Sequence, residues 1–237
     1  MSTSGSTDFA TSRDQLISGA LRMAGAIAQG ETPSATLVSE AAEALNMLVK
    51  AMQADGMPLW AVKQYNVTLT ATSSYTIGVG STVNTPKPLK VIQAFLHNTA
   101  TGIDIPMRII TRDEYNRLGN KTSTGQPIQC FYEPLNTTGV LHVFPVPDTY
   151  SIANCQVVLV YQRPFEDFDV STDEPDFPQE YYHCIKLLLA DVVAPEHGLS
   201  IQERQDLSKR AQIAKMDALG FGTEEGSLYF MADIRSW

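Results

Sequence analysis

At 237 residues, 43% hydrophobic and 18% charged, the chain has the composition of an ordinary globular protein; disorder would need fewer apolar residues and more charge. Its formal net charge of −9 argues against a free nucleic-acid reader, because such proteins neutralise phosphates with Lys and Arg. The longest apolar runs, 157–161 and 185–190, fall far short of the roughly 20 residues that span a bilayer, so no membrane partner is expected. The polar opening of the sequence predicts no signal peptide. Three widely spaced cysteines, Cys130, Cys155 and Cys184, argue against a disulfide framework and fit a reducing, cytosolic origin.

Residues 1–11 read as a Ser-, Thr- and Gly-rich arm. Ser12 and Gln15 then form the sequence signature of a capping box. The stripe Leu16, Ile17, Ala20, Leu21, Ala24, Ile27 and Ala28 has the period of a helix, with Gly30 placed to end it in the left-handed conformation. Thr32 or Ser34 caps a second helix, whose seam is Val38, Ala41, Leu45, Leu48 and Met52, with Gly56 and Pro58 as its stop. The short turn predicts an antiparallel helical hairpin.

From residue 58 to 176 the chain is rich in Thr, Val, Tyr, Gly and Pro, and strands are predicted at 64–70, 74–77, 89–97, 104–110, 128–133, 140–144 and 156–162. Thr111 and Glu114 make a second capping box, for a short helix reaching Leu118. Pro145 and Pro147 predict that the sixth strand ends at an edge. Pro178 opens a helix with the stripe Tyr182, Ile185, Leu188, Leu189, Val192 and Val193. The segment Pro195-Glu-His-Gly198 breaks it. A third box, Ser200 and Glu203, starts a last helix with the small-residue seam Leu207, Ala211, Ala214 and Ala218, ended by Gly220 and Gly222.

Catalytic constellations are scarce. His97, His142, His183 and His197 lie in unrelated contexts, and His183 beside Cys184 has no third ligand at metal spacing. No metal or other cofactor is expected. Gly78 and Gly80 lack the third glycine and the helix of a dinucleotide fingerprint. The acidic run 166–176 holds six carboxylates and no base, and reads as a solvated linker. Arg108, Arg112, Arg117 and Lys121 form a local basic cluster that suits a protein contact better than a grip on DNA.

Several motifs together carry a family resemblance. They are Gly30-Glu-Thr-Pro-Ser-Ala35, Ala44-Leu-Asn-Met-Leu48, Tyr75-Thr-Ile-Gly78, Pro86-Lys-Pro88, Tyr115 with Lys121, Gly125-Gln-Pro127 and Phe131-Tyr-Glu-Pro134. Gly139-Val-Leu-His-Val-Phe-Pro-Val-Pro147, Leu189-Ala190 and Ala194-Pro-Glu-His-Gly198 continue the series. In this order, over residues 13–218, the chain resembles the head-to-tail adaptors of short-tailed bacteriophages, also called tail accessory or packaged-DNA stabilisation proteins. The resemblance implies a ring, usually of twelve copies, beneath the portal protein at the head–tail junction of a virion. Such a ring extends the DNA channel, helps retain packaged DNA, lets DNA pass without specific binding and carries the tail nozzle or tail fibres. It also implies a helical bundle with an inserted β-domain.

The residues are compatible with that layout. The expected fold is α+β: an N-terminal arm and helical hairpin over 1–57 pack with helices of 177–220 as one bundle. A mostly antiparallel β-domain over 58–176 is inserted between them. Residues 221–237 are expected to leave as an extended docking arm. Its Leu228, Tyr229, Phe230, Met231, Ile234 and Trp237 are the candidate contacts with the portal or a neighbouring subunit, since aromatic anchors dominate interface energies. The rival reading is a cell-wall hydrolase acting as a phage enters, for which Glu31, Glu133 and Glu196 are the candidate carboxylates. A prophage-derived oligomeric module would share the fold.

Overall fold

The computed structural model describes residues 5–7, 9–55 and 61–221. The chain divides into two compact units, one made of 1–59 with 167–237 and the other of 60–166. Helix α1 (Arg13–Met23) starts at the predicted box: the Ser12 hydroxyl accepts from the Gln15 N–H, and the Gln15 side chain accepts from the Ser12 N–H. It ends earlier than Gly30, because Gly25 takes a φ of +70°. The Gly25 N–H donates to the Arg22 carbonyl at 3.2 Å and the Ala26 N–H to the Leu21 carbonyl at 2.9 Å, a Schellman closure that satisfies the last carbonyls. Gly30 is also left-handed, in the turn before α2 (Ala35–Asp55). Of the two candidate caps it is Ser34 that starts α2, accepting from the Leu37 N–H at 3.3 Å. Ala41, Leu45, Val49 and Met52 are its buried seam.

The seven predicted strands are the strands of one sheet, each within two residues: β1 (Val62–Thr68), β2 (Ser74–Ile77), β3 (Lys90–Asn98), β4 (Asp104–Ile109), β6 (Gln129–Pro134), β7 (Gly139–Phe144) and β9 (Cys155–Gln162). Their order is β1-β9-β3-β4-β6-β7-β2, and every neighbouring pair is antiparallel except β4 with β6. All seven feed one buried cluster that includes Val67, Tyr75, Leu96, Met107, Cys130, Leu141 and Leu159. A flat seven-stranded sheet would be roughly 30 Å wide. Val67 and Tyr75 come from its two end strands, so the sheet curls round this core.

Two tyrosines fasten the curl. The Tyr75 hydroxyl accepts from the Thr70 N–H at 2.9 Å and donates to the Thr70 carbonyl at 3.0 Å. The Tyr132 hydroxyl donates to the Pro88 carbonyl at 2.7 Å, and burial pushes its pKa up to about 12. The Tyr132 ring lies where any Cβ on Gly139 would sit, so that hairpin position requires glycine. Lys87 donates to the Leu135 carbonyl and, at 3.1 Å, to the Asn136 carbonyl, tying the β6–β7 turn to the segment before β3.

Of the short elements only the first was predicted. α3 (Arg112–Asn116) forms at its capping box but stops before Leu118. β5 (Thr124–Gly125) pairs with β8 (Val146–Pro147), and α4 (Thr149–Asn154) starts where Asp148 accepts from the Ser151 N–H at 2.8 Å. The sixth predicted strand is not at an edge. It is β7, flanked by β6 and β2, and it ends at Phe144 before either proline.

A 3-10 turn at Gln179–Tyr181 leads into α5 (Tyr182–Val193), and α6 (Ile201–Phe221) follows the Ser200–Glu203 box, running past Gly220. α5 packs against α1, α2 and α6, so it is buried on more than one stripe. Cys184, Leu187 and Ala190 are buried, whereas Val192 of the predicted stripe is 49% exposed and Tyr182 is half-buried. Helices surrounded by others read apolar all round, and a single-stripe pattern misassigns them. A Cβ at Gly19 would lie 2.5 Å from the Lys186 Cε, so glycine lets that lysine stem lie across α1.

The acidic run is docked as well as solvated. The Asn46 amide donates to the Phe168 carbonyl at 3.2 Å and accepts from the Phe168 N–H at 2.9 Å, and the Phe168 ring is buried. The Asp173 carboxylate takes the N–H groups of Asp169 and Val170, while the Arg13 N–H donates to the Asp173 carbonyl at 2.8 Å. The Asp167 carboxylate pairs with Lys50.

Leu45 and Leu188 are buried in the helical unit, at 0% and 6% exposure. Truncating either to alanine is expected to cost about 2–5 kcal/mol in urea unfolding. A fragment of residues 1–57 should show little helix by circular dichroism, because α1 and α2 lose α5; full helicity in the fragment would contradict the packing.

Candidate functional site

The residues that carry charge and aromatic chemistry in the β unit converge on the outer face of β6 and β7. Strand alternation turns Cys130 and Tyr132 towards the core and Phe131 and Glu133 outwards. On β7 the same alternation turns His142 outwards, directly across from Phe131. α3 lies over this pair. The Tyr115 ring stacks on Phe131, with centroids 5.6 Å apart, and meets His142 at 4.9 Å; Phe131 and His142 stack at 5.6 Å.

Cations frame the aromatic group, and each has a partner. Arg112 donates to the Glu133 carboxylate at 2.7 Å and lies 5.7 Å from the Phe131 ring centre. Glu133 also faces His142 Nε2 at 3.4 Å. Arg108 pairs with Glu114, Arg117 with Asp113 at 2.9 Å, and the Lys121 ammonium sits 4.9 Å from the Tyr115 ring centre. The hydrogen bond from Arg112 is the main cause holding the Glu133 carboxyl below its ordinary range, and the bond with His142 adds to it. Glu114 is lowered first by the Thr111 N–H and then by the Thr111 hydroxyl, with Arg108 and Arg117 adding to it.

The predicted basic cluster is therefore largely neutralised around α3, with its three guanidiniums committed to carboxylates. The cluster and its neighbouring carboxylates Asp113 and Glu114 were legible in the sequence; the partner of Arg112 was not, because Glu133 lies 21 residues away and reaches it only through strand pairing. Phe131 and His142 were findable from alternation on the two arms of the hairpin.

The other nominated residues fall elsewhere. Glu31 accepts from the Ala28 N–H at 3.0 Å and closes a turn. Glu133 is held ionised, the opposite of what a general acid requires. Glu196 lines a groove in the helical unit. Cys130, Cys155 and Cys184 are buried free thiols, and burial pushes Cys130 up to about 12 and Cys184 to about 11, as inert core residues should be. Among the described residues no three His, Cys, Asp or Glu side chains are grouped to hold a metal ion. No helix among them is long and apolar enough to cross a membrane. Leu228, Tyr229, Phe230, Met231, Ile234 and Trp237 lie outside the described residues.

Two outcomes follow from the paired charges. Glu133 contributes stability that is present above its unfolded pKa and lost as pH falls through its depressed folded pKa. An NMR titration should place its midpoint below the ordinary glutamate range in the native protein, moving up towards that range in Arg112→Ala; an unmoved midpoint would contradict the assignment. Duplex DNA should not bind at submicromolar concentration in a low-salt gel shift, because the four cations are already engaged; tight binding that Arg112→Ala weakens would contradict this.

No curated protein matches the chain in sequence. The model of the family described as SU10 adaptor protein matches residues 12–220, from the cap of α1 to the last turn of α6. That match takes in most of both units, and the chain belongs to the SU10 adaptor protein family, a family of phage head-to-tail adaptors.

Proposed function

We propose that the protein is the head-to-tail connector of a short-tailed phage virion. Copies of it, twelve in the arrangement expected, form a ring beneath the portal protein. The ring extends the DNA channel, helps retain packaged DNA and presents a platform to the tail nozzle or tail fibres. The observation that carries this reading is the family match over residues 12–220. The net charge of −9 supports it, since a like-charged wall lets a polyanion slide without sticking. The helices of the two chain ends act as one bundle that bears the β unit as an insertion.

Residues 221–237 act as an arm in this reading. Leu228, Tyr229, Phe230, Met231, Ile234 and Trp237 are its anchors on the portal or a neighbouring copy. Extended at about 3.3 Å per residue, the arm would reach on the order of 55 Å, enough to leave its own subunit.

Light scattering of the full chain at low micromolar concentration should give a monomer or weak oligomer alone and a ring with purified portal protein. A stable dodecamer without portal would overturn the assembly order, and turnover of peptidoglycan by the monomer would overturn the function. Deleting 223–237 should leave the melting temperature unchanged and abolish portal binding. A large fall in melting temperature with binding retained would return the arm to the subunit's own core.

A further inference from the structure

The helical unit has two unlike outer faces on opposite sides of α5. Lys186, Val192, Val193 and Glu196 mark the side of α5 and its following turn towards α1 and α2. Glu180, His183, Cys184, Leu187 and Asp191 mark the side towards α6. At about 100° per residue these two sets point nearly opposite ways round the axis.

The α2 side carries an acidic and apolar groove of about 390 Å³. Its floor is Leu21, Ala41 and Val193, and its rim holds Glu40, Glu43 and Glu196 with the side chains of Met47 and Val192, 63% and 49% exposed. Glu40, Glu43 and Met47 share one stripe of α2. No lysine or arginine lines the groove among the described residues.

The α6 side is its complement. Leu207, Ala211 and Ala218 face α5, which turns Gln205, Lys209, Gln212, Ile213 and Met216 outwards. That arc has two bare apolar side chains, Ile213 at 59% and Met216 at 72% exposure, an ammonium and two amides, and no carboxylate, in a chain of net charge −9. Asp206 and Asp217 lie at its margin.

We propose that copies of the chain join head to tail through these faces, α6 of one copy seating in the groove between α2 and α5 of the next. Ile213 and Met216 cover Met47 and Val192. The Lys209 ammonium and the glutamine amides donate to Glu40, Glu43 and Glu196. Two different patches on opposite sides of one unit make a heterologous contact, the kind that closes rings, whereas one self-complementary patch stops at a dimer. The inference rests on the ring reading given above and names the surface that builds it.

The test uses the full chain with purified portal protein under mild oxidation. The Met47→Cys, Ile213→Cys double variant should give a ladder of disulfide-linked copies, and each single variant should stay monomeric on a non-reducing gel, the native cysteines being buried. Glu40→Lys with Glu43→Lys should weaken copy–copy association by about tenfold or more, with Lys209→Glu in the same chain recovering much of it. A ring that forms without cross-linking in the double variant overturns this interface and leaves the ring reading standing. Dimers from a single variant overturn it in favour of a two-fold contact. Failure of the unaltered chain to form any ring on portal overturns both.

Discussion

The burial of α5 on opposite faces is what the helical unit depends on, and it joins segments more than a hundred residues apart in sequence. Ile185 and Leu189 are fully buried, and α1 and α2 meet α5 only after the chain has passed through the whole β unit. Closing a flexible loop of that length would cost about 4 kcal/mol beyond a constant. The β unit removes much of this cost by its own topology. β1 and β9 are antiparallel neighbours, and the Arg163 N–H donates to the Ala61 carbonyl at 2.9 Å, so the insertion enters and leaves side by side. A folded insertion with adjacent ends acts as a short connection. The docked acidic run then completes the return, with Asn46 reading both the N–H and the carbonyl of Phe168.

The same logic of mutual satisfaction runs through the residues on which the family resemblance was drawn. Tyr75 bonds both backbone groups of Thr70, Tyr132 holds Pro88 over Gly139, Glu133 takes Arg112, and Lys121 lies on Tyr115. These contacts fix the curl of the sheet and the seat of α3. None supplies a polarised nucleophile or a raised carboxyl, and the membership of a structural adaptor family accords with a scaffold whose polar groups are spent on one another.

Local chemistry was legible in the sequence, and long-range context was not. The three capping boxes and the seven sheet strands are written within windows of four to nine residues, and each formed close to its predicted place. The end of α1 was misjudged because two glycines could each close it, and only the nearer, Gly25, let Ala26 reach the Leu21 carbonyl. The α5 stripe held at Ile185, Leu188, Leu189 and Val193 but was incomplete, because partners on opposite sides bury more than one stripe. β5, β8 and α4 are too short to show a period, and the partner of Arg112 was hidden because Glu133 arrives from a distant strand.

The account makes the helical unit the assembling part and the β unit a self-contained insertion with adjacent ends. Electron cryomicroscopy of the full chain bound to its portal protein tests this most directly. The account predicts a closed ring of copies in which α6 of each lies against α2 and α5 of the next. Isolated copies on the portal, or a ring in which those helical faces are bare to solvent, would contradict it.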